Sequence, residues 1–316
     1  MPELVVTSTA PAVAAIRSRR VAVPLGEKLR RIQGALMALP AAVLLAAFVL
    51  VPLAAVIAIA FTDYQMGQPR IGFVGLRNFA ELFTDRPFLA AVGNSFIYVA
   101  IVVPLTIALG LCVALLVDGL GHGRTFYRTV YFLPSIVALA ASSVAWQMIL
   151  HPTNGLLNQT LALVGIAGPN WLKDPDWALP ALALIGVWER LGFTAVFYLA
   201  ALSDMPPQLG EAARIDGAGR PWDRFWLVVW PHLRPMTLFL TVTASIHAFQ
   251  AFETVAILTQ GGPQRSTQLL LYTIYQEAFV FFRTSYAATA TLVLLLILVA
   301  FSAMQFKSLR HRSGAA

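Results

Sequence analysis

Few residues in this 316-residue chain could do chemistry, and most of them stand inside long apolar runs. Glu189 and Arg190 are adjacent in a stretch that is otherwise uncharged for many residues either way, and Thr243, His247, Gln250 and Thr254 recur at i, i+4, i+7 and i+11. On a continuous helix that recurrence makes one polar stripe. An ionisable group at the centre of a membrane helix costs about 2.5–3.5 kcal/mol on insertion scales, so it needs a partner or a wet path. Glu189 and Arg190 are therefore either a mutual pair that holds helices together or part of a solute route. Glu253 lies about a quarter of a circle off the stripe, placed to join the route or to face a partner chain. Trp188 and Phe193, with Phe249 and Phe252, offer ring faces on which a sugar could stack. The candidate pathway set is thus Trp188, Glu189, Arg190, Thr243, His247, Gln250 and Glu253.

Catalytic motifs do not accompany these groups. There is no His-Glu-x-x-His and no Gly-x-Ser-x-Gly, which counts against an intramembrane enzyme. His247 has no second His or Cys at ligand spacing, so it reads as a hydrogen-bonding group and no metal is expected. A phosphate-cradling G-x-x-x-x-G-K-[ST] loop needs a lysine after glycine, and Lys28, Lys173 and Lys307 all lack one. The chain cannot bind ATP by that route. No cofactor of its own is expected.

A different kind of polar segment follows, "GEAARIDGAGRPWDRFWLVVWPHLRP" at residues 210–235. Asp204 can cap a short helix that has Pro206 and Pro207 in its first turn, runs through "QLGEAARI" and stops at Gly217. Gly219 and Pro221 then break the chain and start the next helix. Ala212 and Ala213 are expected to leave a shallow exposed face, with Glu211 and Asp216 as charged handles at its ends.

The elements that must position these residues are set by composition. The chain is 58% hydrophobic and 12% charged, with a mean hydropathy of +0.73. A soluble domain carries about 25% charged residues, so lipid is the expected solvent. Six runs approach the roughly 20 residues a span needs: Leu36–Phe61, Leu89–Val117, Tyr131–Leu150, Ala178–Leu202, Pro235–Gln260 and Tyr286–Phe306. None alternates as barrel strands do, so all are expected to be helices. The first run is too long for a signal-peptide core of about 7–15 residues and reads as a retained anchor. The single cysteine, Cys112, allows no internal disulfide and is expected to be plain packing.

Charge orients the bundle. With both termini in the cytoplasm, 15 of the 22 Lys and Arg fall on the cytoplasmic side and six on the other, with Arg190 inside a span. That is the positive-inside distribution, and it accounts for the net charge of +7 without a nucleic-acid partner. The expected organisation is a cytoplasmic tail at 1–35, a transmembrane domain at 36–307 that includes the polar loop 204–225, and a cytoplasmic tail at 308–316.

The segment "EAARIDGA", with Phe225 and Pro231 after it, resembles the EAA motif of ABC importer permease subunits. Trp230 stands where that family usually has Leu. "FVGLRNFAELFTDRPFLAAVGNSFIYV", "FLPSIVALAASSVAWQMILHPTNGLLN", "ALPALALIGVWERLGFTAVFYLAALSDMPPQLGEAA" and "LTQGGPQRSTQLLLYTIYQEAF" are similar to the carbohydrate-uptake branch, which holds the maltose-type and glycerol-3-phosphate-type permeases. The resemblance implies an all-α type I importer fold with six transmembrane helices in a bacterial inner membrane. It implies that Glu211, Ala212, Ala213, Asp216 and Gly217 couple to an ATPase subunit. It also implies a second permease, two ATPase subunits that bind ATP and Mg, and a solute-binding protein docking on loops 62–88 and 151–177. The rival is an ion-coupled secondary transporter using Glu189, His247 and Glu253 as relays. Neither reading names the solute.

Overall fold

The computed structural model describes residues 25–68, 70–120, 123–215 and 217–313. It is all helical, and no strand occurs among the described residues beyond one isolated antiparallel bridge between Thr62 and Phe73. The described residues divide into two compact units, one up to Ala54 and one from Ala55 on. The first contains α1 (Leu25–Leu45), which runs into a π-helical turn at Ala46–Leu50. The apolar helix Leu36–Ala60, which ends in α2 (Val51–Ala60), has none of its apolar window buried. Its side chains need lipid or another protein to cover them.

The second unit is a bundle. α3 (Arg77–Thr84) leads into the 33-residue α4 (Arg86–Asp118). The 29-residue α8 (Pro175–Ser203) packs along α4, and α11 (Trp230–Phe249) packs against both. α13 (Thr284–Ser313) closes the group. α8 starts where Asp174 accepts the N–H of Asp176 at 3.0 Å with Pro175 at the first helical position, an N-terminus that satisfies one orphan donor. The buried residues make two apolar clusters, the larger with Phe88, Leu182, Ile185, Phe249 and Leu270 among its fully buried members and the smaller with Tyr198, Leu199, Leu233 and Leu240. Polar bonds tie the helices: Tyr198 donates to Thr237 at 3.0 Å, and Gln305 to Ser245 at 2.9 Å.

Two of the expected spans differ from the straight helices read from hydropathy. Four described helices are long and apolar enough to cross a membrane: Leu36–Ala60, Arg86–Asp118, Pro175–Ser203 and Thr284–Lys307. The expected third run is an elbow, Thr125–Ser135 and Leu139–Ile149 bent by 94°. It comprises α5 (Arg124–Phe132), a 3-10 turn at Leu133–Ser135 and α6 (Leu139–Ile149). Pro134 lies in that turn, and a proline inside the chain removes a ladder donor. The expected fifth run starts earlier and ends earlier. α10 (Pro221–Arg224) joins α11 through a π-helical stretch at Phe225–Val229, and the helix stops at Phe249. Residues 251–252 are not helical, and a short helical stretch from Glu253 to Thr259 follows. Cys112 is exposed on α4.

Loops are fastened by named contacts. Asn78 donates to the carbonyls of Ala60 and Thr62, both at 2.8 Å, and Arg283 pairs with Glu81 at 2.6 Å and Glu277 at 3.1 Å. α7 (Leu156–Leu163) carries Asn158, which accepts from Trp171 at 2.5 Å and donates to the carbonyls of Pro152 and Pro169. Between residues 260 and 269, Asn94 of α4 donates to the carbonyls of Arg265 and Gln268, and Ser95 accepts the N–H of Leu270, which opens α12 (Leu270–Tyr275).

Candidate functional site

The break after Phe249 builds a cavity. Had α11 continued, Glu253 would have pointed away from His247 and Gln250, as the stripe geometry implied. The turn at Gln250–Phe252 resets the helical phase and brings Glu253 and Thr254 round to the same space. The result is a cavity of about 320 Å³ lined by α4, α8, α11 and the break, with Val137 and Leu139 of the elbow at its side. That is the lower end of the size range of small-molecule sites.

Five of the seven candidate pathway residues meet there: Glu189, Arg190, His247, Gln250 and Glu253. Two do not. Trp188 turns from the cavity to meet Trp146 edge to face at 5.5 Å, where it ties α8 to α6. Thr243 bonds back to the carbonyls of Phe239 and Leu240 in its own helix. Tyr98 and Thr106 of α4 also line the space, and the polar stripe gave no hint of them because they lie on another helix. The hydroxyl of Thr106 is fully buried and has no hydrogen-bond partner among the described residues.

The adjacent Glu189 and Arg190 do not form a close pair: neither side chain makes a hydrogen bond or a salt bridge among the described residues. Arg190 instead lies 5.4 Å over the ring of Phe193. The backbone around Glu189 is held from outside its own helix. Ser135, in the elbow, donates to the Glu189 carbonyl at 2.7 Å and accepts the N–H of Phe193 at 3.2 Å. Gly192 lets the elbow come so close, because a Cβ there would run into the Tyr131 carbonyl oxygen. Of the four proposed ring faces, Phe252 lines the cavity, while Phe249 is 1% exposed and packed edge-on against Phe96 and Phe301. Phe249 is core, with no face free for a sugar.

The second set of candidates lies on α9 (Pro207–Ile215). Asp204 ends α8 as its C-cap and does not open α9 as expected, and Pro207 is the first helical residue. Past the helix, Gly217 takes φ +93° and the Ala218 N–H returns to the Ala213 carbonyl at 2.9 Å, a left-handed C-terminal cap. Glu211 and Ala212 are exposed, but Ala213 is only 8% exposed, so the alanine pair is split between an outer and an inner face. Ile215, 86% exposed, extends the outer face instead. Asp216 lies outside the described residues. Behind α9, Trp222, Phe225, Trp226 and Trp230 form a continuous set of ring contacts, with centroids 5.1–6.2 Å apart.

This geometry belongs to a known set of proteins. Residues 122–311 match the family described as binding-protein-dependent transport system inner membrane component. The sn-glycerol-3-phosphate transport system permease protein UgpA of Yersinia pseudotuberculosis serotype I (strain IP32953) is 34% identical over 241 residues, 76% of this chain and 81% of that one. The lactose transport system permease protein LacF of Rhizobium radiobacter is 34% identical over 288 residues, 89% of this chain and 95% of that one. The crystal structure of a bacterial alginate ABC transporter, in complex with an alginate pentasaccharide-bound periplasmic protein, has a chain that superposes with a TM-score of 0.77 at 22% identity. That match covers 89% of this chain and 95% of the other, and it establishes the type I importer permease fold.

Proposed function

This chain belongs to the family of binding-protein-dependent transport system inner membrane components, and from that premise we propose that it forms half of the translocation path of an ATP-driven importer for a sugar or glycerol-3-phosphate-like solute. The observation that carries the reading is α9: a short helix, capped at Gly217, that presents Glu211, Ala212 and Ile215 outward beside the end of α8. A transporter that made its own driving force would have no use for such a projecting face. An importer worked by a separate motor requires one.

The same reading supplies the rest. On this reading the chain crosses six times, with the elbow as the third crossing and α11 with its continuation as the fifth, and the Lys and Arg distribution supports both termini and α9 on the cytoplasmic side of a bacterial inner membrane. Residues 1–35 and 308–316 are then tails, 36–307 the transmembrane domain and 204–225 the coupling loop. Glu211, Ala212, Ala213, Asp216 and Gly217 couple it to one of two ATPase subunits, which hold ATP and Mg. A second permease completes the pathway, and the solute-binding protein docks on loops 62–88 and 151–177. Glu189, Arg190, His247, Gln250 and Glu253 line the route. The ion-coupled alternative has no observation in its favour.

The test is energetic. Purified alone, the chain should hydrolyse no ATP. Reconstituted in proteoliposomes with its partner permease, ATPase subunits and binding protein, it should accumulate solute only with ATP, and an uncoupler should leave uptake intact. ATP-independent uptake that collapses with an uncoupler would restore the ion-coupled reading.

A further inference from the structure

The cavity carries an unusual charge count for a route that serves anions. Two carboxylates, Glu189 from α8 and Glu253 from beyond the break, face it with one cation, Arg190, and no other Lys or Arg among the described residues lines it. With His247 neutral, the formal balance of the lining is negative. A phosphate or a uronate entering this space meets two like charges and a single guanidinium, whereas tight anion sites gather bidentate arginines or several converging donors.

A second feature points to hydroxyl groups. The carboxylates are acceptors only, and the amide of Gln250 both donates and accepts. Together they suit a ligand rich in O–H donors.

On the permease reading above, we propose that Glu189 and Glu253 make this half of the pathway reject anionic solutes, and that it passes uncharged, multiply hydroxylated ones whose hydroxyls bond the two carboxylates and Gln250. The assignment separates this chain from a glycerol phosphate carrier by chemistry that overall similarity does not reveal. Glu253 becomes a specificity residue.

The complete importer in proteoliposomes tests this with glucose, lactose and maltose as neutral probes and with glycerol-3-phosphate and alginate pentasaccharide as anionic ones. At least one neutral sugar should accumulate with ATP, and each anion should enter at less than about a tenth of its rate. The double variant Glu189→Gln, Glu253→Gln should narrow that ratio roughly tenfold, since the like charges are gone while shape is kept. Permease levels in the membrane, measured in each variant, normalise the rates. Preferred uptake of either anion, or an unchanged ratio in the double variant, would overturn the charge assignment while ATP-dependent transport upheld the permease reading. Absence of ATP-dependent uptake for all five probes would overturn both.

Discussion

The hydroxyl of Ser135 donates to the backbone carbonyl of Glu189 at 2.7 Å, 54 residues along the chain, so the elbow grips α8 beside the charged residues of the cavity. The same hydroxyl accepts from the Phe193 N–H, leaving two backbone groups dependent on one side chain. Ser135→Ala removes both bonds. It should cost about 1–2 kcal/mol of stability, read as a lower melting temperature of the purified assembly, and it should reduce uptake because Glu189 loses its anchor. An unchanged melting temperature would mean that water replaces the hydroxyl without loss.

Bulk on α9 should act differently at the two alanines. Ala212 faces outward, so Ala212→Trp is expected to strip the ATPase subunits from a permease that still folds and inserts. Ala213 faces inward, and Ala213→Trp should disturb the loop itself, with faster proteolysis between residues 204 and 225 even before any ATPase is added. Co-purification and limited digestion separate the two effects. Equal behaviour of both variants would contradict the split face.

At Gly217 the backbone takes φ +93°, a region that β-branched residues scarcely enter. Gly217→Val should therefore fray the end of α9 at a cost of about 1–2 kcal/mol and uncouple ATP hydrolysis from uptake. Gly217→Asn should be milder, because Asn tolerates left-handed geometry. If Val and Asn gave the same uptake, the turn would not matter to coupling.

In the π-helical turn Gln276–Val280 that follows α12, burial pushes the Glu277 carboxyl above its ordinary value, against the opposing pull of Arg283. A carboxyl whose folded-state affinity for a proton is raised stabilises the fold below its ordinary value of 4.5 and loses that contribution as pH rises through the raised value. The melting temperature of the wild type should thus decline over that interval by an amount absent from Glu277→Gln. A slope identical in both proteins would assign the pH dependence elsewhere. Arg283→Gln should be more damaging, since it releases Glu81 and Glu277 together and removes the cation that lies 4.1 Å over the Tyr286 ring.

The sequence by itself determined the solvent, the class of fold and the punctuation of the coupling segment. Long uncharged runs can be satisfied in lipid only as helices, and the glycine that ends α9 has its own turn chemistry, so both are local properties. The positions of Glu189, Arg190, His247 and Gln250 in one space were also within reach, because they fall at helical spacing or on adjoining helices. The tertiary structure alone decided the rest. A helical wheel assumes unbroken phase, so the turn at Gln250–Phe252 could not be anticipated, and with it came the entry of Glu253 into the cavity. Periodicity says which residues share a face but not which face another helix covers. Hence Phe249 is core, Trp188 packs on Trp146 and Ala213 turns inward.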